Sequence, residues 1–378
     1  MAGPTPPPRN GMSVTTANLV AGISRYGVDL HLVDTADRRG LKNVGRLDAG
    51  NVLAALVSGL RFATMLVRLR PDVVYVPIAQ NRLGFLRDAL FLLPARLTDA
   101  AVVVHLHGCA LQDFYRGTDA LTRWVVRTAL AKVACAVVLG PSAIQQFDGL
   151  VPRSRVRVVA NGVADIPLPA SSDRLKRLSR GEATVLYLGA LTMGKGFTAL
   201  MSAVPLLQDM PGLRFIFAGE FTSPEAEREA RRLLDEPGMR DRVLFTGPVS
   251  EPEAQRLLSD AAALVLPARQ VEGQPLVILE AFRAGTPVIA TPSGCIVDTV
   301  RDGEDGILVP QGDPAAIAGA LRRLTSNIPC WQRMSAGARS AFDRHYRLDS
   351  WLASLAGLFR AAGTGLLRRT PCSCAGSD

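Results

Sequence analysis

Two carboxylates eight positions apart, Glu272 and Glu280, stand in the segment Glu272-Gly-Gln-Pro-Leu-Val-Ile-Leu-Glu280. Glu272 falls in a Gly/Pro loop. Glu280 falls about one turn into an expected helix that ends at Gly285, and a strand, Pro287 to Thr291, follows. A loop carboxylate and a helix carboxylate can face one crevice at the carboxyl end of a parallel sheet, where α/β folds bind ligands. Carboxylates accept hydrogen bonds, and sugars and riboses are dense in hydroxyl donors. The same spacing also fits an ordinary amphipathic helix with two solvated glutamates, so other residues must decide.

A second group, Gly189-Ala-Leu-Thr-Met-Gly-Lys195-Gly196, follows the expected strand Thr184 to Leu188 and opens a helix. It nearly fits the phosphate loop G-x-x-x-x-G-K-[ST], but Gly196 stands where a hydroxyl would hold Mg²⁺. The helix dipole disfavours a lysine at a helix start, which points to a functional reason for Lys195. A third group, His105-Leu-His107-Gly108, ends an apolar strand. Strand alternation sends both imidazoles to one face, at the strand's carboxyl end. With four histidines in the chain and no pair of cysteines at zinc-like spacing with histidine partners, the spacing argues against zinc. No Asp-x-Asp pair occurs, which argues against transferases that hold their donor through Mn²⁺ or Mg²⁺.

The Glu272–Glu280 segment resembles the E-x7-E signature of retaining, nucleotide-sugar-dependent glycosyltransferases of family 4, which have the GT-B fold. The Gly189–Gly196 loop is similar to that family's G-R-L-x-x-x-K-G pattern, with Ala190 at the arginine position. Ser293 to Asp313, Arg242-Val-Leu-Phe-Thr-Gly247 and Leu266-Pro267 continue the likeness, which spans roughly residues 4–360. The resemblance implies a nucleoside diphosphate sugar as co-substrate, with no metal and no other cofactor. It places Lys195 on the diphosphate, Glu280 on the ribose, and Glu272 and His107 on the donor sugar. Gly273 would allow close approach, Gln274 and Leu276 would offer N–H groups near a helix start, and Gly189 would flank the phosphates. Pro275 has no N–H to offer. Asn10-Gly11 takes the place of the family's Gly-Gly in a loop near the donor phosphates. The missing arginine removes a bidentate phosphate clamp. Three alternatives stay open: a nucleotide-sugar epimerase of the same fold, an inactive nucleotide-sugar-binding protein, and a P-loop NTPase.

The elements that must position these residues alternate. Strands are expected at 184–188, 213–218, 242–246, 262–267, 287–290 and 306–309, with helices near 196–208, 224–236, 251–260, 275–284 and 314–325. The first half offers strands at 28–33, 72–77, 101–106, 134–139 and 155–160, and helices at 12–26, 51–70, 84–97, 119–132 and 141–147. Alternation of this kind implies parallel sheets wound by crossover helices. The expected organisation is α/β, with two doubly wound Rossmann-like domains facing a cleft. The boundaries are an acceptor-side domain 1–165, a linker 166–182, a nucleotide-sugar-binding domain 183–345, a helix 346–362 returning to the first domain, and a disordered tail 363–378. A doubly wound domain normally begins with a strand. Residues 1–5, Met-Ala-Gly-Pro-Thr, do not read as one, so the first strand appears missing and the first domain is expected to be the less stable.

At 378 residues the chain exceeds one typical domain, and its 48% apolar content supports sizeable cores. The six cysteines are scattered, as in a reduced, cytoplasmic chain. Met1 to Asn10 is proline-rich and does not read as a signal peptide, and no uninterrupted apolar run approaches the ~20 residues of a spanning helix. Residues 1–165 carry 19 Lys and Arg against 11 Asp and Glu, and so hold +8 of the net +9. Such an excess attracts anionic partners. Arg82 to Arg96 mixes arginines with large apolar residues; it fits a helix touching anionic lipid or, as periodicity favours, a core-facing helix with an arginine edge. The partners expected are the donor, a sugar or lipid-linked acceptor and an anionic membrane surface on the inner face of the plasma membrane, with no nucleic acid. The product would belong to polysaccharide, glycolipid or other glycoconjugate synthesis.

Overall fold

Apolar runs of four to six residues become strands here because they are covered on both faces. Val74–Ile78, Ala101–Leu106 and Cys135–Val138 are buried along their whole length, the condition under which a parallel strand loses its polar alternation. The computed structural model describes residues 1–7, 9–38, 48–167 and 172–366. They form two units: Met1–Asn161 with the chain from Leu348 onward, and Gly162–Arg347.

In the first unit, β1 (Ala2–Gly3), α1 (Gly11–Gly22) and β2 (Val33–Asp34) make a short βαβ crossover, β1 pairing parallel with β2. Next come α2 (Ala49–Leu69), β3 (Val73–Ile78), α3 (Arg82–Ala95), β4 (Ala101–Leu106), α4 (Leu111–Gly117), α5 (Ala120–Leu130), β5 (Cys135–Val138) and β6 (Val156–Val158). The last four strands form a parallel sheet in the order β3-β4-β5-β6. Side chains cap the helix starts: Asp48, Asn81 and Asp119 accept from the third backbone N–H of α2, α3 and α5 at 2.8–2.9 Å. Each such cap is worth about 1 kcal/mol. The helix Leu348–Gly363 lays Trp351, Leu352, Leu355 and Phe359 into this unit's core, beside Leu19, Tyr75, Val103 and Val137.

The strand expected to be absent is present as a stub. Val33 N–H donates to the Met1 carbonyl at 2.9 Å, and Thr35 N–H to that of Gly3 at 3.1 Å. The Thr5 hydroxyl and N–H both donate to the Asp34 carboxylate. A ladder is built from backbone groups, which Ala and Gly supply as well as Val does. A Cβ added at Gly3 would lie 3.6 Å from Pro77 Cγ, so β1 runs beside β3.

The segment Arg82–Ala95 faces the core: Phe85, Ala89, Phe91 and Leu92 are buried. The helix with apolar surface to spare is α2. Its 21 residues, with a mean hydropathy of 1.7 over an 18-residue stretch, are long and apolar enough to cross a membrane by length and composition.

The second unit begins after Asn161, ahead of the linker expected at 166–182. Much of that linker is α6 (Ser172–Ser179). The unit continues with β7 (Ala183–Leu188), α7 (Phe197–Ala203), β8 (Leu213–Ala218), α8 (Pro224–Leu234), β9 (Val243–Gly247), α9 (Glu251–Asp260) and β10 (Ala263–Leu266). It closes with α10 (Leu276–Arg283), β11 (Val288–Ala290), α11 (Ile296–Thr299), β12 (Gly306–Leu308), α12 (Pro314–Thr325) and α13 (Ile328–His345); Leu348–Gly363 is then α14. Its parallel sheet runs β12-β11-β10-β7-β8-β9. Chain order reverses between β7 and β10, so the loops after those two strands flank the topological switch point. Of the tail expected at 363–378, residues 367–378 lie outside the described residues.

Candidate functional site

The loop after β7 is shaped by glycines. Gly189 has φ +144°, and Gly219 presses so closely on its carbonyl that a Cβ there would overlap it. Tyr187 donates its hydroxyl to the Ala190 carbonyl at 3.0 Å, and the buried Leu191 anchors the next residue. Lys195 ends a 3-10 turn, Met193–Lys195, whose cap is Thr192: its hydroxyl accepts from Lys195 N–H at 3.0 Å. Gly196 then turns left-handed, φ +74°, with its α-carbon against the Pro267 carbonyl at the end of β10. The Gly194 carbonyl accepts from the N–H groups of Arg269 and Gln270 at 2.8 and 2.9 Å. The two loops at the switch point are thereby tied backbone to backbone. No hydroxyl occupies the position after Lys195, and α7 starts only at Phe197, which removes the metal-holding part of a P-loop.

The loop after β10 brings Glu272 to Lys195. The ammonium donates to Glu272 Oε1 at 3.0 Å, and the Gln270 amide donates to the same oxygen at 2.8 Å. The Lys195 side chain is 26% exposed and that of Glu272 11%. The Glu272 backbone is held from a third loop, after β11: Cys295 N–H donates to its carbonyl at 3.2 Å. Gly294, φ +56°, sits where a Cβ would overlap that carbonyl. Burial, with the negative charge of Glu272 adding to it, pushes the Tyr187 phenol up, out of its usual range.

Gly273 is partly buried. Gln274 is buried, and its side-chain amide donates to the Thr299 hydroxyl at 3.1 Å. That side chain braces α11, so any ligand contact at Gln274 falls to its backbone. Leu276 opens α10, where N–H groups have no partner inside the helix. Glu280 lies one turn on, on the same face as Leu276. Its neighbours Ile278, Leu279, Ala281 and Phe282 are buried, while Leu276, Val277 and Glu280 remain accessible. The far end of α10 is fixed by Arg174 from α6. Its buried guanidinium donates to the carbonyls of Ala261, Ala284 and Gly285 and to the Thr286 hydroxyl, and stacks over Trp331 at 4.7 Å. Burial holds its pKa down, at about 10.

The remaining sequence candidates belong to the first unit. His105 is fully buried, and its Nδ1 pairs with the Tyr75 hydroxyl at 2.7 Å. His107 stacks on it with ring centroids 4.0 Å apart, the shared face that strand alternation requires. Burial lowers the His107 pKa to about 4, so the imidazole is neutral near pH 7. At Gly108 the α-carbon sits against the Gln80 side-chain amide, whose oxygen accepts from Ala110 N–H at 2.7 Å. Asn10 caps α1 in a reciprocal box with Ser13, at 3.0 and 2.9 Å. Its side-chain oxygen is thus engaged by the helix. Gly11 opens α1 with open space around its α-carbon.

The structure therefore joins Lys195 to Glu272 and sets Gly189, Gly273, Leu276 and Glu280 on the same three loops and helix. His107, Asn10 and Gly11 fall at carboxyl ends of strands in the other unit. Sequence reading missed Gln270, Tyr75 and Arg174. Gln270 and Tyr75 carry no motif, and Arg174 sat in a stretch that read as linker. Among the described residues no group of His, Cys, Asp or Glu could hold a metal ion.

Comparison with known proteins identifies the family. Residues 182–327 match the family Glycosyl transferases group 1, and residues 10–162 match the Glycosyl transferase 4-like domain. The chain belongs to the group 1 glycosyltransferases. Among these, it is 28% identical to the D-inositol 3-phosphate glycosyltransferase of Acidothermus cellulolyticus, over 93% of this chain and 86% of that one. It is 27% identical to the alpha-D-kanosaminyltransferase of Streptomyces kanamyceticus, over 72% and 73%. The crystal structure of Anabaena HepE in complex with UDP and glucose superposes with a TM-score of 0.71 at 16% identity, covering 93% of this chain and 96% of that one. The fold is GT-B, and the activity is glycosyl transfer from a nucleotide sugar.

Proposed function

We propose that this glycosyltransferase moves a hexose from a UDP-sugar to a hydroxyl of a sugar or lipid-linked acceptor, with retention of anomeric configuration, in glycoconjugate synthesis. The observation that carries the proposal is the Lys195–Glu272 pair at the switch point of the second unit. A cation on a glycine-shaped loop and the N-terminus of α10 are what a departing diphosphate needs as its charge builds. In this reading Lys195 takes the diphosphate, Glu280 the ribose hydroxyls and Glu272 the hydroxyls of the donor sugar. His107 contributes a neutral imidazole that can donate or accept a hydrogen bond to a sugar hydroxyl. UDP is favoured because the Anabaena structure holds UDP and glucose on the same fold.

A panel of nucleotide sugars, assayed for transfer and for hydrolysis with and without EDTA, tests the reading. UDP-sugars should be consumed and EDTA should leave the rate unchanged, because Lys195 supplies the cation. Consumption that disappears with EDTA and returns with Mn²⁺ would overturn it.

A further inference from the structure

We propose that the outer face of α2 is a docking surface for an anionic lipid bilayer, on which the first unit rests without spanning it. The inference rests on the surface of that unit and is independent of the donor site. Leu53, Leu56, Leu60, Thr64 and Val67 follow one another at spacings of three and four, which places them on one stripe of the helix. Leu53, Leu56, Leu60 and Val67 are 63, 55, 71 and 75% exposed. The opposite stripe is where α2 is held. Phe62 and Leu66 are buried, Phe62 meets Phe91 of α3 edge to face at 5.2 Å, and a Cβ at Gly59 would lie 3.2 Å from Leu90. So α2 spends its weaker apolar face on the protein and leaves the stronger one outside.

The surrounding charge selects the occupant. Arg61 and Arg68, seven residues apart, line one edge of the stripe, and α2 contains no acidic residue. On the far side of α3, helix α5 repeats the pattern: Leu121 and Trp124 are 69 and 63% exposed, beside exposed Arg123 and Arg127. Among the described residues none of these four arginines is ion-paired, whereas Arg82 of α3 pairs with Asp119. A symmetric contact with a second copy would bring like charges together. A bilayer with anionic headgroups neutralises the arginines and takes the leucines at the acyl boundary, with the indole of Trp124 at headgroup level. Arg61 in the middle of α2, and the hold of α3 on its inner stripe, fit a helix lying in the interface rather than crossing it.

The test uses the full chain with phosphatidylcholine vesicles, with and without phosphatidylglycerol. The protein should sediment with the anionic vesicles at low salt and be released by high salt or alkaline carbonate. Trp331 and Trp351 are buried, so a blue shift of emission on binding reports Trp124. Two double variants, Leu56→Ser with Leu60→Ser and Arg61→Glu with Arg68→Glu, should each weaken binding about tenfold or more with unchanged circular dichroism. No association at low salt, or association of both variants equal to that of the wild type, would overturn the proposal. A dimer in light scattering that the leucine variant dissociates would assign the stripe to a second copy instead. Resistance to carbonate extraction would make α2 a spanning helix.

Discussion

Replacing Glu272 by Gln should tighten the binding of UDP while it stops transfer, and this opposition follows from the pair geometry. Lys195 Nζ and Glu272 Oε1 are 3.0 Å apart. At that separation two unit charges attract by about 5 kcal/mol at an effective dielectric near 20, and by about 1 kcal/mol in water. With the lysine side chain 26% exposed, solvent screening brings the net value toward the lower figure. A diphosphate must draw Lys195 away from Glu272, or share it, and it also meets the glutamate's own negative charge. Glu272→Gln removes both costs and should lower the Kd for UDP about fivefold, the equivalent of about 1 kcal/mol. Lys195→Ala loses a charge-assisted contact worth about 1.5–3 kcal/mol and leaves Glu272 facing the phosphates, so the Kd should rise about tenfold or more. Uridine, without phosphates, should bind all forms alike. Titration calorimetry on the wild type, both single variants and the double variant closes the cycle, with the two changes coupled by about 1 kcal/mol or more. If Glu272→Gln weakens UDP, or if Lys195→Ala weakens uridine as much as UDP, Lys195 does not serve the diphosphate.

Gly196→Ala places a Cβ on the Pro267 carbonyl at a left-handed backbone. It should destabilise the chain by more than the ~1–2 kcal/mol of left-handed strain and abolish UDP binding. Gly181→Ala has the same φ of +74° with open space around it, so it should show only the strain in urea denaturation and keep UDP affinity. His107 should make the first unit acid-labile. Its unfolded imidazole takes a proton below about pH 6.5 and its folded one only near 4. Stability should therefore fall, by up to about 3 kcal/mol, as pH drops through that window. His107→Asn should flatten this part of the profile, and an unchanged pH dependence of its denaturation midpoint would refute the assignment.

The strand–helix rhythm was legible because buried parallel strands leave long apolar runs, and 184–188 and 213–218 match β7 and β8 to within a residue. Three things were not legible, each for its own physical reason. The stub β1 is held by backbone groups that its residue types do not advertise. Helix α6 begins at the second of two serines that follow Pro167 and Pro169, and it is held by the buried guanidinium of Arg174, whose partners lie 87 to 112 positions away. The exposed stripe of α2 was hidden because the helix carries apolar residues on its covered and its outer side alike. Periodicity cannot say which side of such a helix is covered; only the neighbour that covers one side, α3, reveals it.

The site shows the same division. Residue types gave the phosphate loop and the two glutamates, but their chemistry depends on a contact between positions 77 apart, Lys195 and Glu272. That contact is a property of strand order. Because β7 and β10 are neighbours although β8 and β9 intervene in the chain, their two loops emerge side by side, and Gly194 and Gly196 lock them together. A third loop, after β11, closes on the Glu272 carbonyl through Gly294 and Cys295. The approaches at Gly196 and Gly294 need an α-carbon without a side chain, so these glycines act on the protein's own backbone before they act on any ligand. The carboxylate that results is fixed from three strands, and it faces a lysine that one incoming diphosphate can take over. In the proposed reading, the ion pair holds the two loops in register and the donor's charge releases it.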